Sequence, residues 1–172
     1  REASPLPGDW GHVSLYAQGN TISHLDYEFA NDGFTGDNAS NTTIDNVMMV
    51  GNLSLSANGI YLTNSSDLTI TNNTITVGGD YGIYSPYSPN SLLENNDISG
   101  SGDYGIYSPD SPNSVVESND ISGYYWGLKM NDCSSCSFVS NDISSELYSI
   151  ESHSSDSLTI VLNIINVHSD VN

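Results

Sequence analysis

Read for apolar against polar positions, the chain breaks into short β-branched runs with alternation, each closed by Gly, Asn, Asp, Ser or Pro. Such runs predict strands, and no window sustains a helical periodicity. The runs also recur. Residues 59–81 read GIYLTNSSDLTITNNTITVGGDY, residues 82–104 read GIYSPYSPNSLLENNDISGSGDY, and residues 105–126 read GIYSPDSPNSVVESNDISGYYW. The openers Gly59, Gly82 and Gly105 stand 23 residues apart. A repeat of that length dictates architecture before any motif does.

Counting the opener as zero, positions 11, 14 and 16 carry Ile70, Asn73 and Ile75, then Leu93, Asn96 and Ile98, then Val116, Asn119 and Ile121. Downstream, the spacing finds Phe138, Asn141 and Ile143 after Gly127, and Ile160, Asn163 and Ile165 after Ser149. Upstream it finds Ile22, Leu25 and Tyr27 after Gly11, and Ile44, Val47 and Met49 after Gly33. An aromatic precedes the opener at Trp10, Tyr81, Tyr104, Trp126 and Tyr148. The residue after it is His12, Phe34, Ile60, Ile83, Ile106, Leu128 or Ile150. Seven units thus fill almost the whole chain, with one insertion of a few residues before Gly59. Strands this short cannot bury an apolar face alone, so coil must stack on coil. At about 4.8 Å per coil, seven coils make a rod on the order of 35 Å long.

In the phrases GIYLTNSSDLTITNNTI and GIYSPDSPNSVVESNDIS the chain resembles the right-handed parallel β-helix repeat family of the pectin-lyase-like fold group, over roughly residues 10–170. The resemblance implies an all-β, single-domain right-handed parallel β-helix, a solenoid of about seven coils with 22–23 residues per coil. The solenoid covers 10–172, with 1–9 as an N-terminal extension or cap. It implies little about function, since such proteins include lyases, hydrolases, adhesins, surface proteins and NosD-type copper-processing proteins. The inward column Asn73, Asn96, Asn119, Asn141 and Asn163 suits the fold. Asn tolerates left-handed backbone at a sharp turn, and stacked amides bond along the axis.

Charge narrows the partners. The formal net charge is -19, from 21 acids against Arg1 and Lys129. Nucleic acid and anionic membranes are repelled by such a chain. Divalent cations, high salt or a mineral-rich exterior suit it, as does simple solubility. The chain opens on Arg1 and has no apolar run able to span a bilayer, which reads as a mature or excised segment. Sequons at Asn38, Asn41, Asn52, Asn64 and Asn72 are glycosylation candidates, all within the first three units. Cys133 and Cys136, in NDCSSCSF, lack the second pair of a zinc site and the βαβ context of a redox motif. A local disulfide in an oxidising exterior is the leading reading, with intermolecular bridging or free thiols as alternatives.

No catalytic residue is assigned. The lyases of the fold group need a cationic base beside calcium carboxylates, and Lys129 is the only interior cation. Acid chemistry needs converging carboxylates. Glu94 and Glu117 share position 12, and Asp97, Asp120 and Asp142 share position 15, so both rows point outward as ladders. A spacing of about 4.8 Å allows raised pKa values or a calcium ladder, against the plainer reading of a solvated face. No cofactor is expected, calcium on the acidic ladders being the one alternative. His12, His24, His153 and His168 occupy different coil positions, and Met48, Met49 and Met130 add no cluster, which disfavours copper or zinc.

Two surfaces depart from a bland rod. Tyr61, Tyr84 and Tyr107 share position 2 and, with Tyr87 and the Ser-Pro turns, predict an aromatic strip. Such a strip binds sugar faces or proteins, or merely packs coil to coil. In the last unit Val161 replaces the glutamates and Ile164 the aspartates; with Leu162 and Val167 they predict an apolar assembly interface.

These readings predict a non-enzymatic extracellular structural protein at the cell surface. It is a β-helical subunit of a surface layer, sheath or filament that self-assembles end to end. A carbohydrate-binding or adhesive module using the tyrosine strip is the alternative, and a polysaccharide hydrolase on the acidic ladders a third reading.

Overall fold

A computed structural model describes residues 11–29, 32–51 and 57–168. The expected N-terminal extension, Trp10 and Asn52 lie outside them. Each coil carries three short strands; in the fourth these are Tyr81–Tyr84, Leu92–Glu94 and Asp97–Gly100. Every pairing is parallel and runs to the coil before or after, so three faces wrap one core. The second face is a sheet of 7 strands from Thr21–Ser23 to Thr159–Val161, one per coil. The first and third faces join into one sheet because Asp120–Lys129 and Asp142–Glu151 turn the corner between them unbroken. The chain is thus an all-β parallel solenoid of seven coils.

Register converts sequence columns into stacks. Ile70, Leu93, Val116 and Phe138 lie directly over one another and are wholly buried. So do Ile75, Ile98, Ile121 and Ile143. The first coil is a correction: Val13, not His12, pairs with Phe34, because the chain enters that coil one residue late. Gly11 is accordingly free of the crowding met at the openers Gly59, Gly82, Gly105 and Gly127. A Cβ on Gly105 would lie 2.3 Å from Ile121 Cγ2 and 2.7 Å from the Gly127 carbonyl. The opener sits in the corner where two faces converge, and only hydrogen fits there.

The asparagine column is a continuous amide ladder. Nδ2 of Asn73, Asn96, Asn119 and Asn141 donates to Oδ1 of the next member at 2.9, 2.9, 3.0 and 2.8 Å. The same nitrogens donate backward to the carbonyls of Ile44, Ile70, Leu93 and Val116. Each amide therefore ties three coils and leaves no buried donor idle. The left-handed residue, however, is the one before: Asn72, Asn95, Ser118, Ser140 and Leu162 have φ of 54–57°, whereas the ladder residues do not. The ladder Asn is held by its amide, and the turn is made by its neighbour.

Tyr124 was not singled out by the repeat, yet it is fully buried. Gly123, at φ 82°, lets the strand bulge so that the ring turns inward over Gly100. Its hydroxyl donates to the Ser99 carbonyl at 3.3 Å. Burial pushes the phenol well above its ordinary pKa.

Candidate functional site

The repeat places two outward columns on the first face, on either side of the buried Gly-Ile pair. Position 2 stacks Tyr61, Tyr84 and Tyr107, with centroids 4.7 and 5.5 Å apart. The aromatics before the opener form the second column: Tyr81, Tyr104, Trp126 and Tyr148 follow at 5.6, 5.0 and 5.7 Å. The columns touch, with Tyr81 and Tyr84 4.5 Å apart and Tyr104 and Tyr107 4.8 Å apart. Sequence reasoning noted the second column but assigned it no part in the strip. Gly82 and Ile83 are both buried, as are Gly105 and Ile106, so the residues flanking each pair share the outer side, which simple alternation does not anticipate. Tyr87 stands apart: it is 58 % exposed at a left-handed turn, and no ring contact among the described residues includes it.

Position 2 changes character in the next coils, where Tyr107 is followed in register by Lys129 and Glu151. Lys129 Nζ lies 3.1 Å from Glu151 Oε1 and sits 5.4, 5.6 and 5.9 Å from the centroids of Trp126, Tyr104 and Tyr107. Glu151 also accepts from Trp126 Nε1 at 2.8 Å and meets His153 Nε2 at 3.0 Å. Burial alone would lower the Lys129 pKa, but the Glu151 hydrogen bond and carboxylate and the neighbouring phenols raise it on balance. Glu151 moves the other way: its partial burial is outweighed by Lys129, Trp126 and His153. Burial, with Tyr84 and Asp80 adding to it, pushes Tyr81 up to about 12. The face is thus an aromatic sheet in which burial raises the pKa of Tyr81, Tyr84 and Tyr104, and it ends in one locked ion pair.

The acidic rows register as expected, Asp97 over Asp120 over Asp142 and Glu94 over Glu117, but end in Ile164 and in Val139 and Val161. Partial burial, then Asp97 and Asp142, raises the Asp120 pKa. Among the described residues no group of three or more His, Cys, Asp or Glu converges to hold a metal ion. The two rows run parallel along opposite sides of a corner rather than toward one point.

Cys133 and Cys136 are joined by a disulfide, wholly buried in the corner where earlier coils place Ser88 with Ser91 and Ser111 with Ser114. The described sequon residues Asn38, Asn41, Asn64 and Asn72 are exposed, at left-handed corners with φ 56, 58, 51 and 56°. Asn64 donates to Asp37 at 2.6 Å and Asn72 to Asp45 at 2.8 Å, and these bonds hold both carboxyls below their usual range.

In the seventh coil the columns continue but lose their cover. Ile160 and Ile165, in the inward stacks, are each 50 % exposed. Val161, Ile164 and Val167 are exposed too, and Leu162, at 78 %, occupies a left-handed corner where coils two to six place Asn or Ser. That conformation costs a non-glycine residue about 1 kcal/mol.

The profile of the family described as periplasmic copper-binding protein (NosD) matches residues 9–172. No curated protein and no solved structure matches the chain. The residues present do not make a copper site. The described histidines sit at different corners, with His153 bound to Glu151 and His168 to Ser144. Met49 and Met130 are sealed in the core, and both cysteines are oxidised. Among the described residues these donors form no converging set. A match over nearly the whole length makes this chain a member of the NosD family, a β-helical protein with a periplasmic or surface setting.

Proposed function

Taking that membership as the premise, we propose that the chain is a non-catalytic scaffold of the cell envelope, a β-helical subunit that stacks end to end in a surface layer, sheath or filament. The observation that carries the reading is the seventh coil. Ile160, Val161, Leu162, Ile164, Ile165 and Val167 are all exposed there, and nothing among the described residues covers them. An open solenoid edge presents both apolar side chains and unpaired strand groups, and it invites another strand. A first coil from a second copy continues the same register. Such a head-to-tail contact does not close on itself, so it propagates into a filament.

The non-catalytic part rests on the only cation among the described residues. Lys129 is held protonated against Glu151, so it is a poor general base at neutral pH. The carboxylates form rows, not a converging pair.

Sedimentation velocity across a concentration series, with electron microscopy of the same samples, tests the assembly. Rods that lengthen with concentration are expected, and Ile164→Asp should return them to single particles. A protein that stays monomeric at every concentration, salt and calcium level ends this reading.

A further inference from the structure

The aromatic face carries a second inference, independent of the end coil. Near-parallel rings in the outer column have centroids 5.0–5.7 Å apart with planes within 9–22°. Full face contact needs about 3.5–4.0 Å between carbons, so these rings overlap like shingles and leave part of each face toward solvent. All are only half-buried, and Tyr148 is 54 % exposed. The strip runs along the solenoid axis from Tyr61 to Tyr148, one step per coil, which is the geometry of a linear polymer and not of a compact ligand.

Polar groups at its end decide the chemistry. The Lys129 side chain is only 16 % exposed, and its described ion pair, with Glu151, uses one of its N–H donors. The remaining donors border the rings and suit an oxygen acceptor from outside. Two charge arguments select that acceptor. Asp80 and Asp103 raise the neighbouring phenols' pKa values, so they lie beside the strip and repel anions. The cation seat above Tyr104, Tyr107 and Trp126 is already taken by Lys129. What remains is a neutral polymer with apolar ring faces and hydroxyls on their edges. We infer that this face binds a neutral glycan chain laid along the axis, its sugar faces on the shingled rings and its hydroxyls on Lys129 and Glu151.

Affinity electrophoresis in native gels cast with soluble neutral polysaccharides (a mixed-linkage β-glucan, a galactomannan) or with polygalacturonate tests this. Retardation by a neutral glycan and none by polygalacturonate is expected. Tyr148→Ala and Lys129→Met should each weaken binding about tenfold. Tyr148 is exposed, so its variant should melt with the parent protein, separating lost binding from lost fold. Migration unchanged in every neutral gel, retardation by polygalacturonate alone, or equal binding by parent and both variants overturns the assignment.

Discussion

Coils three to six and coil seven carry the same inward isoleucine and asparagine columns, and for those columns the difference is what lies above them. Ile75, Ile98, Ile121 and Ile143 are wholly buried, whereas Ile165, in the same stack, is 50 % exposed. The Asn119 Nδ2 donates forward to Asn141 and backward to Leu93, whereas the Asn163 Nδ2 has no ladder member ahead of it among the described residues and donates only to the Phe138 and Val161 carbonyls. A residue's burial in this protein is therefore supplied by the next coil, not by its own. Stability is close to a sum of nearest-neighbour terms, so the same substitution should cost differently by coil.

The sharpest way to break that contrast is to empty the same column twice. Ile121→Ala should cost about 3–4 kcal/mol, and Ile165→Ala about 1 kcal/mol or less, read from urea unfolding of each variant. Equal costs would mean that coil seven is covered in solution. The amide ladder offers a smaller version. Asn119→Ala takes the acceptor from the buried Asn96 backbone N–H and from one Asn96 Nδ2 donor and should cost about 2–3 kcal/mol, while Asn163→Ala, whose bonds to Asn141 are only part-buried, should cost about half that or less.

Alkaline titration compares the faces instead of the coils. Tyr81 has a raised pKa, so its contribution is whole below pH 10 and is lost as pH rises through about 12. Thermal melts should fall steeply across that window, and Tyr81→Phe should flatten the fall. Its absence would show the aromatic face to be fully solvated. The smallest effect belongs to the acidic row. Its raised pKa means that Asp120 favours the fold below the usual carboxylate range and opposes it at neutral pH. Asp120→Asn should therefore stabilise by about 0.5 kcal/mol at pH 7 and low salt, with the gain vanishing in high salt or below pH 3. Calcium that raised the melting point of the parent, but not of Asp120→Asn, would restore the calcium-ladder reading.

Much of the fold was legible because a 23-residue period turns sequence offset into physical neighbourhood. Ile98 and Ile121 had to touch once coils stacked, and so did Asn96 and Asn119. The candidate site was legible only in part. Position 2 showed Tyr61, Tyr84 and Tyr107 as one column, but the period says nothing about distances within a coil. Whether Tyr81 reaches Tyr84 depends on two successive residues, Gly82 and Ile83, both turning inward between them. Copper ligation gained no support from either level, since the donors scatter along the chain and around the corners.

From the sequence alone came the solenoid, its number of coils, its inward stacks and its amide ladder, because all of these follow from one repeated spacing. Tertiary structure decided the rest: Val13 in place of His12 in the first coil, the left-handed residue one step before each ladder Asn, Tyr124 folded into the core, and Lys129 clasped by Glu151 over three rings. These are matters of backbone pucker and side-chain direction. A linear pattern records which residues share a column, but only packing in three dimensions settles how far each one turns toward its neighbours.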